Sequence, residues 1–231
     1  MRLSDCHGTL SPFLRFVDES ADTPEEGTSS LQPNRGLRIE KDFIETLPVG
    51  QWDGPIELIE SEKDAERAIH HLYKERVVGF DTETRPSHTR GVTYLPSVLQ
   101  LAGEDRIFVF RLDECGGIPL AFPLLCHPKK AKVGVAVRDD VRHLQERAPF
   151  DAPSFIDISD FTRKAGVENT GLRALAAHFL GLQMKKSKKV QTSHWERPLS
   201  KEQIKYAAND AWFGRELFLK LEKDGIIPAF E

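Results

Sequence analysis

Cysteine is scarce in this 231-residue chain, and its three cysteines, Cys6, Cys115 and Cys126, are odd in number and far apart. No C-x-x-C pair occurs, so the spacing argues against both a disulfide framework and a zinc site. A reducing compartment suits such thiols, and we expect a cytoplasmic location. No run of about 18 apolar residues occurs, so we expect neither membrane insertion nor secretion.

Net positive charge is also missing, since the formal net charge is -4. A chain of this charge has no overall attraction to nucleic acid, so any phosphate-binding surface must be a local patch. The content of 39% hydrophobic and 29% charged residues is typical of a soluble globular protein.

The N-terminal segment, residues 1–36, mixes Ser, Thr, Gly, Pro and acidic residues without helical or strand periodicity. We interpret it as a mobile tail. No internal repeat and no second change of composition follows, so residues 37–231 are predicted to form one domain.

Apolar periodicity predicts a mixed sheet covered by helices, an α/β fold. Strands are expected at Val77–Phe80, Val98–Leu101, Ile107–Phe110 and Val133–Val137, the second and third as a hairpin. Helices are expected from Ser61 to about Lys74, after Asp139 or Asp140, from Leu172 to Gly181, and from Ser200 to Lys223.

Two acidic residues, Asp81 and Glu83, follow the first of these strands. Side chains alternate along a strand, so both carboxylates point to one face about 7 Å apart. Their mutual repulsion favours a divalent cation as partner. The alternative is a strand that emerges into solvent with two ordinary surface acids.

Further acidic residues follow a second strand and lie in the last helix. Asp140 comes where the chain turns from strand to helix, and taken alone it is more typical of a helix N-cap, a role for which Asp139 competes. Tyr206 and Asp210 are four residues apart and share a helix face that is otherwise apolar. A buried carboxylate needs a partner or a metal, whereas a position at the rim of the helix needs neither.

Three segments together resemble the motifs of the DEDDy 3′-to-5′ exonucleases, in particular the ribonuclease D and Werner-type branches. The segments are Phe80-Asp81-Thr82-Glu83-Thr84, Val133-Gly134-Val135-Ala136-Val137-Arg138-Asp139-Asp140 and Tyr206-Ala207-Ala208-Asn209-Asp210-Ala211. The resemblance implies a ribonuclease H-like fold and hydrolytic release of nucleoside monophosphates from the 3′ end of a nucleic acid.

The resemblance also implies a site. The metal ligands would be Asp81, Glu83, Asp140 and Asp210, and Tyr206 would help to orient the attacking water. Two divalent ions are implied, and hard carboxylate oxygens favour Mg²⁺ or Mn²⁺. A catalytically silent nucleic-acid-binding module on the same fold is the alternative function. Such modules usually lose one or more of these acids, and all four are present here.

Basic residues concentrate just before the last helix. The predicted nucleic-acid contacts are Lys185, Lys186, Lys188, Lys189, Trp195 and Arg197. The alternative for the lysines is a solvated flexible loop, and for Trp195 it is a packing anchor instead of a base-stacking residue. Arg85 and Arg90 follow the first motif, where they are either phosphate contacts or surface residues. Nothing in the sequence distinguishes DNA from RNA as the substrate.

Overall fold

The computed structural model describes residues 38–231 with the exception of His88, Arg90 and Lys186. The predicted mobile tail, residues 1–36, lies outside the described residues, so the tail and its boundary with the domain 37–231 stay predictions. In the described part of the chain no helix is both long and apolar enough to cross a membrane.

The strands build one six-stranded sheet and one parallel pair of short strands. In chain order they are β1 (Val49–Gly50), β2 (Ile56–Ile59), β3 (Val77–Glu83), β4 (Val98–Ala102), β5 (Ile107–Arg111), β6 (Ala131–Gly134), β7 (Phe155–Asp157) and β8 (Gln183–Met184). The large sheet has the order β2-β5-β4-β3-β6-β7, and β1 pairs with β8. β3 is antiparallel to β4 and parallel to β6, and β4 and β5 form the predicted hairpin. The predicted mixed sheet is confirmed.

Helices flank this sheet. They are α1 (Lys41–Thr46), α2 (Glu62–Leu72), α3 (Phe122–Leu125), α4 (Val137–Arg147), α5 (Ile158–Lys164), α6 (Leu172–Leu175), α7 (Lys188–Gln191) and α8 (Lys201–Lys223). A 3₁₀ turn at Ile118–Ala121 precedes α3, and a π-helical turn at Ala176–Leu180 follows α6. The predicted single helix from Leu172 is therefore divided, but it stops as expected at Gly181, which has a φ of 64°.

Side-chain caps fix the starts of the two longest predicted helices. The Ser61 hydroxyl accepts a hydrogen bond from the backbone N–H of Asp64 at the start of α2. At the start of α8, Ser200 and Gln203 form a complete capping box. Each cap satisfies backbone donors that lack a partner in the first helical turn. The positions of these two helix starts were predicted correctly.

The junction between β6 and α4 differs from the prediction. The strand ends at Gly134, and Val137 begins the helix instead of ending the strand. Ala136 is the N-cap, with a left-handed φ of 62°, and the Asp157 carboxylate accepts its backbone N–H at 3.0 Å. Because this contact turns the chain early, Asp140 lies inside the first helical turn and the predicted N-cap role for Asp139 or Asp140 is wrong.

The C-terminal helix α8 lies directly on the backbone of β3. A Cβ atom placed on Gly79 would be 2.1 Å from the carbonyl oxygen of Ala211, so only glycine allows the observed approach. Gly79, Asp81 and Glu83 alternate with Phe80 along β3, and Phe80 packs into the core on the opposite face of the sheet. Both acids of β3 therefore face α8.

Candidate active site

Three carboxylates meet between β3 and α8. Asp81, Glu83 and Asp210 each offer an oxygen, and these oxygens all lie within 4.8 Å of one another. Strand alternation places the first two on the α8 face, and the close contact at Gly79 brings the middle of α8 to the same place. The chain thus gathers the first and third predicted motifs into one group of hard oxygen donors.

Tyr206 lies one helical turn before Asp210 and is part of the same site. Its hydroxyl donates a hydrogen bond to the Asp210 carboxylate. The Tyr206 ring packs beside the buried Trp195, with ring centroids 6.1 Å apart. Asp210 itself is only 9% exposed, so the interpretation of a solvated helix rim does not apply to it.

The negative charges of the group act on one another. Burial raises the pKa of the Asp81 carboxyl well above its usual value, and the charges of Asp210, Asp140 and Glu83 raise it further. Burial, followed by the charges of Asp210, Glu83 and Asp81, also raises the pKa of the Tyr206 hydroxyl. A cation placed among these oxygens would relieve the repulsion. Hard oxygen donors this close together fit a divalent metal ion.

Asp140 lies outside this group of three. Its carboxylate accepts a hydrogen bond of 2.5 Å from the hydroxyl of Thr82, whose side chain leaves β3 on the opposite face from Asp81. Burial raises the pKa of Asp140 to about 6, against the effect of the Thr82 hydrogen bond. Because its charge still raises the pKa of Asp81, Asp140 belongs to the same electrostatic environment. Its role as the fourth metal ligand stays a prediction.

A cavity of about 400 Å³ opens beside the carboxylates. Tyr206 and Asp210 form part of its wall, together with Lys185, Lys205 and Asn209. The Lys205 ammonium donates to the Gln51 side-chain oxygen at 2.8 Å on the far side. The cavity therefore connects one acid of the group, Asp210, with basic and amide side chains and with Glu202.

The predicted basic residues are only partly brought to this cavity. Lys185 lines it, whereas Lys188 and Lys189 lie exposed on α7. Arg197 is exposed and contacts Glu196 at 3.8 Å. Lys186 lies outside the described residues. The role of these side chains in binding nucleic acid stays a prediction.

Trp195 does not have the predicted role in nucleic-acid binding. Its side chain is fully buried, and its indole N–H donates to the backbone oxygen of Gln191 at 3.3 Å. It packs among the apolar residues between α8 and the sheet, which include Val98 and Ala207. A ring without accessible faces cannot stack on a base, so that prediction is wrong and Trp195 is a packing anchor.

Sequence reasoning missed two polar residues next to the site. Thr82 was not singled out in the sequence, yet its hydroxyl donates to the Asp140 carboxylate. The Asn209 side-chain oxygen accepts the backbone N–H of Trp52 at 2.7 Å and ties the segment before β2 to α8. In the sequence, the position of Asn209 directly before Asp210, in an Ala-rich segment of the helix, could have indicated a role near the site. Beyond β3, the Arg85 guanidinium lies 3.5 Å from the centroid of the Tyr94 ring.

Known proteins share this architecture. The chain resembles the Aedes aegypti Nibbler EXO domain with a TM-score of 0.66 at 22% identity, covering 76% of this chain and 92% of that domain. It resembles Trypanosoma brucei RNase D in complex with RNA U12 with a TM-score of 0.65 at 20% identity, covering 73% and 63% of the two chains. The predicted ribonuclease H-like fold class is thereby confirmed.

The sequence matches agree with the fold. The bifunctional 3′-5′ exonuclease/ATP-dependent helicase WRN of Mus musculus is 31% identical over 150 residues, which are 63% of this chain and 11% of the mouse protein. This chain thus corresponds to a small part of that relative. A family model described as 3′-5′ exonuclease matches residues 56–226, a segment that contains Asp81, Glu83, Asp140, Tyr206 and Asp210. The chain belongs to the 3′-5′ exonuclease family, as the three motifs predicted.

Proposed function

We propose that this chain is a metal-dependent 3′-to-5′ exonuclease that hydrolyses phosphodiester bonds and releases nucleoside monophosphates from a 3′ end. The observation that carries the proposal is the group formed by Asp81, Glu83 and Asp210, whose oxygens lie within 4.8 Å of one another beside Tyr206. Membership of the exonuclease family supports the same reaction.

The carboxylates would hold Mg²⁺ or Mn²⁺, and we propose two ions per site. Four acids, with Asp140 as the fourth, carry a summed charge that two divalent ions balance. When bound, such ions activate a water molecule and stabilise the charge that develops on the scissile phosphate. The chain itself fixes the ligands through the backbone contact of α8 with β3 and through the Thr82 hydrogen bond to Asp140.

Tyr206 serves this reaction as a hydrogen-bond donor and not as a base. Its pKa is raised above the usual value near 10, so the hydroxyl keeps its proton throughout the physiological range. In the structure the proton is directed at Asp210. With a substrate present, the same hydroxyl is placed to orient the attacking water or a phosphate oxygen.

We propose that the 3′-terminal nucleotide enters the cavity between Tyr206 and Lys185. The Lys185 and Lys205 ammonium groups supply positive charge at the cavity wall, beside the acids Glu202 and Asp210. Lys188, Lys189 and Arg197 extend this positive surface along the approaching strand. RNA is a candidate substrate because the related Trypanosoma brucei RNase D has been observed with RNA U12. DNA is also a candidate substrate because phosphate-directed chemistry needs no 2′-hydroxyl.

The first test is nucleotide release from matched 5′-labelled DNA and RNA, single and double stranded, with Mg²⁺ or Mn²⁺. Wild-type protein should give a ladder that shortens from the 3′ end, and Asp81→Asn and Asp210→Asn should abolish it while circular dichroism shows intact folding. Asp151→Asn, at an exposed acid on another part of the surface, is the matched control and should retain full activity.

Two results would contradict the proposal. Metal-dependent release by Asp81→Asn at the wild-type rate would place the reaction elsewhere. Binding of a 3′-ended oligonucleotide without any product, in either metal, would instead favour the catalytically silent module.

A further inference from the structure

Gln100 is buried without a partner for its side-chain amide. The residue lies in the middle of β4 and is 0% exposed. Neither its side-chain oxygen nor its side-chain nitrogen has a hydrogen-bond partner among the residues described. An amide removed from water in this way costs free energy that an apolar side chain of the same shape would not. A buried side-chain amide without a partner in the middle of a strand calls for a functional explanation.

The register of the sheet places Gln100 directly beside the metal site. β4 runs antiparallel to β3, and Gln100 is the cross-strand partner of Asp81. Directly opposed residues of an antiparallel pair project from the same face, with Cα atoms about 4.5 to 5.5 Å apart. Gln100 and Asp81 therefore share the face that α8 covers.

The other neighbours of Gln100 within the sheet on this face cannot satisfy an amide. Along β4 they are Val98 and Ala102, two residues away on either side, and across the sheet the partner in β5 is Val109. All three belong to the apolar cluster under α8. The ionisable side chains that β3 projects from this face are Asp81 and Glu83.

We infer that Gln100 is a positioning residue of the metal site. Its amide N–H reaches the Asp81 carboxylate through one buried water and fixes the orientation of that ligand. The inference rests on the metal site proposed above. Ligating carboxylates are commonly held by a hydrogen bond of this kind from a residue behind them. An amide donates without adding positive charge, which would compete with the metal for the acids.

A purely structural role for Gln100 predicts a different effect of substitution on metal affinity. Gln100→Met and Gln100→Leu both remove two buried polar atoms that lack partners and leave the apolar contacts largely in place. If Gln100 only fills space, both variants should be at least as stable as wild type and bind metal equally well. If Gln100 holds Asp81, stability is kept and metal affinity falls.

The experiment measures stability and metal binding separately. Urea unfolding of the metal-free protein should give Gln100→Met a midpoint equal to or above that of wild type. Titration with Mn²⁺, followed by electron paramagnetic resonance, should show a dissociation constant raised about 10- to 100-fold, as expected for the loss of a group behind a metal ligand. Turnover of a 5′-labelled oligonucleotide should fall in parallel. Unchanged Mn²⁺ affinity in a folded Gln100→Met or Gln100→Leu variant would overturn the inference.

Gln145→Met is the matched control. Gln145 lies on α4 and donates to the backbone oxygen of Phe150 at 3.0 Å, so its loss should reduce stability and leave Mn²⁺ affinity unchanged. Should neither Gln100 variant fold, the assigned side-chain amide resonance of Gln100 in wild-type protein decides: a shift on Mg²⁺ titration supports the inference and its absence overturns it. If wild-type protein fails to bind Mn²⁺, the proposed metal site itself is wrong. If wild type and variant bind Mn²⁺ equally well, only the role of Gln100 is wrong.

Discussion

Tyr206 is the residue of the site whose chemistry depends most on its surroundings. Burial and three neighbouring acids keep its hydroxyl protonated, and the hydroxyl donates to Asp210. We expect Tyr206→Phe to lower kcat about 100-fold, a typical loss for a donor directed at developing charge. Folding should be unaffected because the ring retains its contact with Trp195.

The measurement is single-turnover release of the terminal nucleotide by wild type and Tyr206→Phe across the pH range. Because the pKa of Tyr206 is raised, its hydroxyl should stay protonated between pH 8 and 10. The rates of wild type and Tyr206→Phe should therefore depend on pH in the same way over this range. An alkaline decline in wild type alone would show that the hydroxyl ionises in the working range and would contradict the donor role.

Lys132 is a buried cation that the proposed reaction does not use. It is 0% exposed on β6, its ammonium donates to the backbone oxygen of His127 at 3.0 Å, and burial lowers its pKa to about 8. A lysine with a lowered pKa contributes stability that is present above its unfolded value and is lost as pH falls through the folded value. At pH 7 its buried charge is therefore a cost.

We expect Lys132→Met to raise the free energy of unfolding at pH 7 by about 1 to 3 kcal/mol. The gain should shrink as pH rises from 7 to 10, because wild-type Lys132 becomes neutral over that range. Urea unfolding at pH 7, 8.5 and 10 tests this expectation. A variant that is less stable than wild type at pH 7 would show that the His127 hydrogen bond outweighs the cost of burying the charge.

At the scale of elements, the site depends on how closely α8 approaches β3. Gly79→Ala would place a methyl group 2.1 Å from the carbonyl oxygen of Ala211, and backbone atoms cannot move aside as a flexible side chain does. We expect a loss of stability at or above the upper end of ordinary overpacking, about 3 kcal/mol, together with loss of activity because Asp210 is displaced.

Gly171→Ala is the matched control for this substitution. Gly171 has an ordinary φ of −75° at the N-cap of α6, and nothing lies within 4 Å of an added Cβ. Urea unfolding and nucleotide release should both stay close to wild type in this variant. Wild-type stability in Gly79→Ala would mean that the helix can shift away from the strand without cost.

Individual elements also show what the sequence could and could not predict. Alternation in β3, the capping box of α8 and the spacing of Tyr206 and Asp210 are local patterns, and each was predicted correctly. The early end of β6 depends on a contact between Ala136 and Asp157, residues far apart in sequence, so apolar valines there were mistaken for strand. The burial of Trp195 and the pairing of Gln100 with Asp81 likewise follow from tertiary packing and strand register, which no local pattern encodes.

At the scale of the whole molecule, the acids of the site should make metal-free stability depend on pH. Burial raises the pKa of Asp140 to about 6 and raises that of Asp81. A carboxyl with a raised folded pKa contributes stability that is full below its unfolded value, near 3.8, and is lost as pH rises through the folded value. The metal-free protein should therefore lose stability from about pH 4 to pH 6 through Asp140, and Asp81 should add to this loss.

Mg²⁺ should reverse this loss, since a ligand that binds only the folded state adds about 2.7 kcal/mol at 100 times its dissociation constant. Urea midpoints at pH 5, 6 and 7, with and without Mg²⁺, test both effects, and Asp81→Asn should abolish the metal response. A wild-type midpoint at pH 7 that does not respond to Mg²⁺ or Mn²⁺ would contradict the metal site.

The backbone contact between α8 and β3 has a consequence for how this protein can diverge. Because Gly79 meets the Ala211 carbonyl with no side chain between them, the spacing of Asp81 and Asp210 is set by main-chain atoms and not by the volumes of neighbouring core residues. Neutral drift can therefore exchange the apolar residues around the site while the carboxylates keep their separation. The fold itself is shared with the Nibbler domain at only 22% identity.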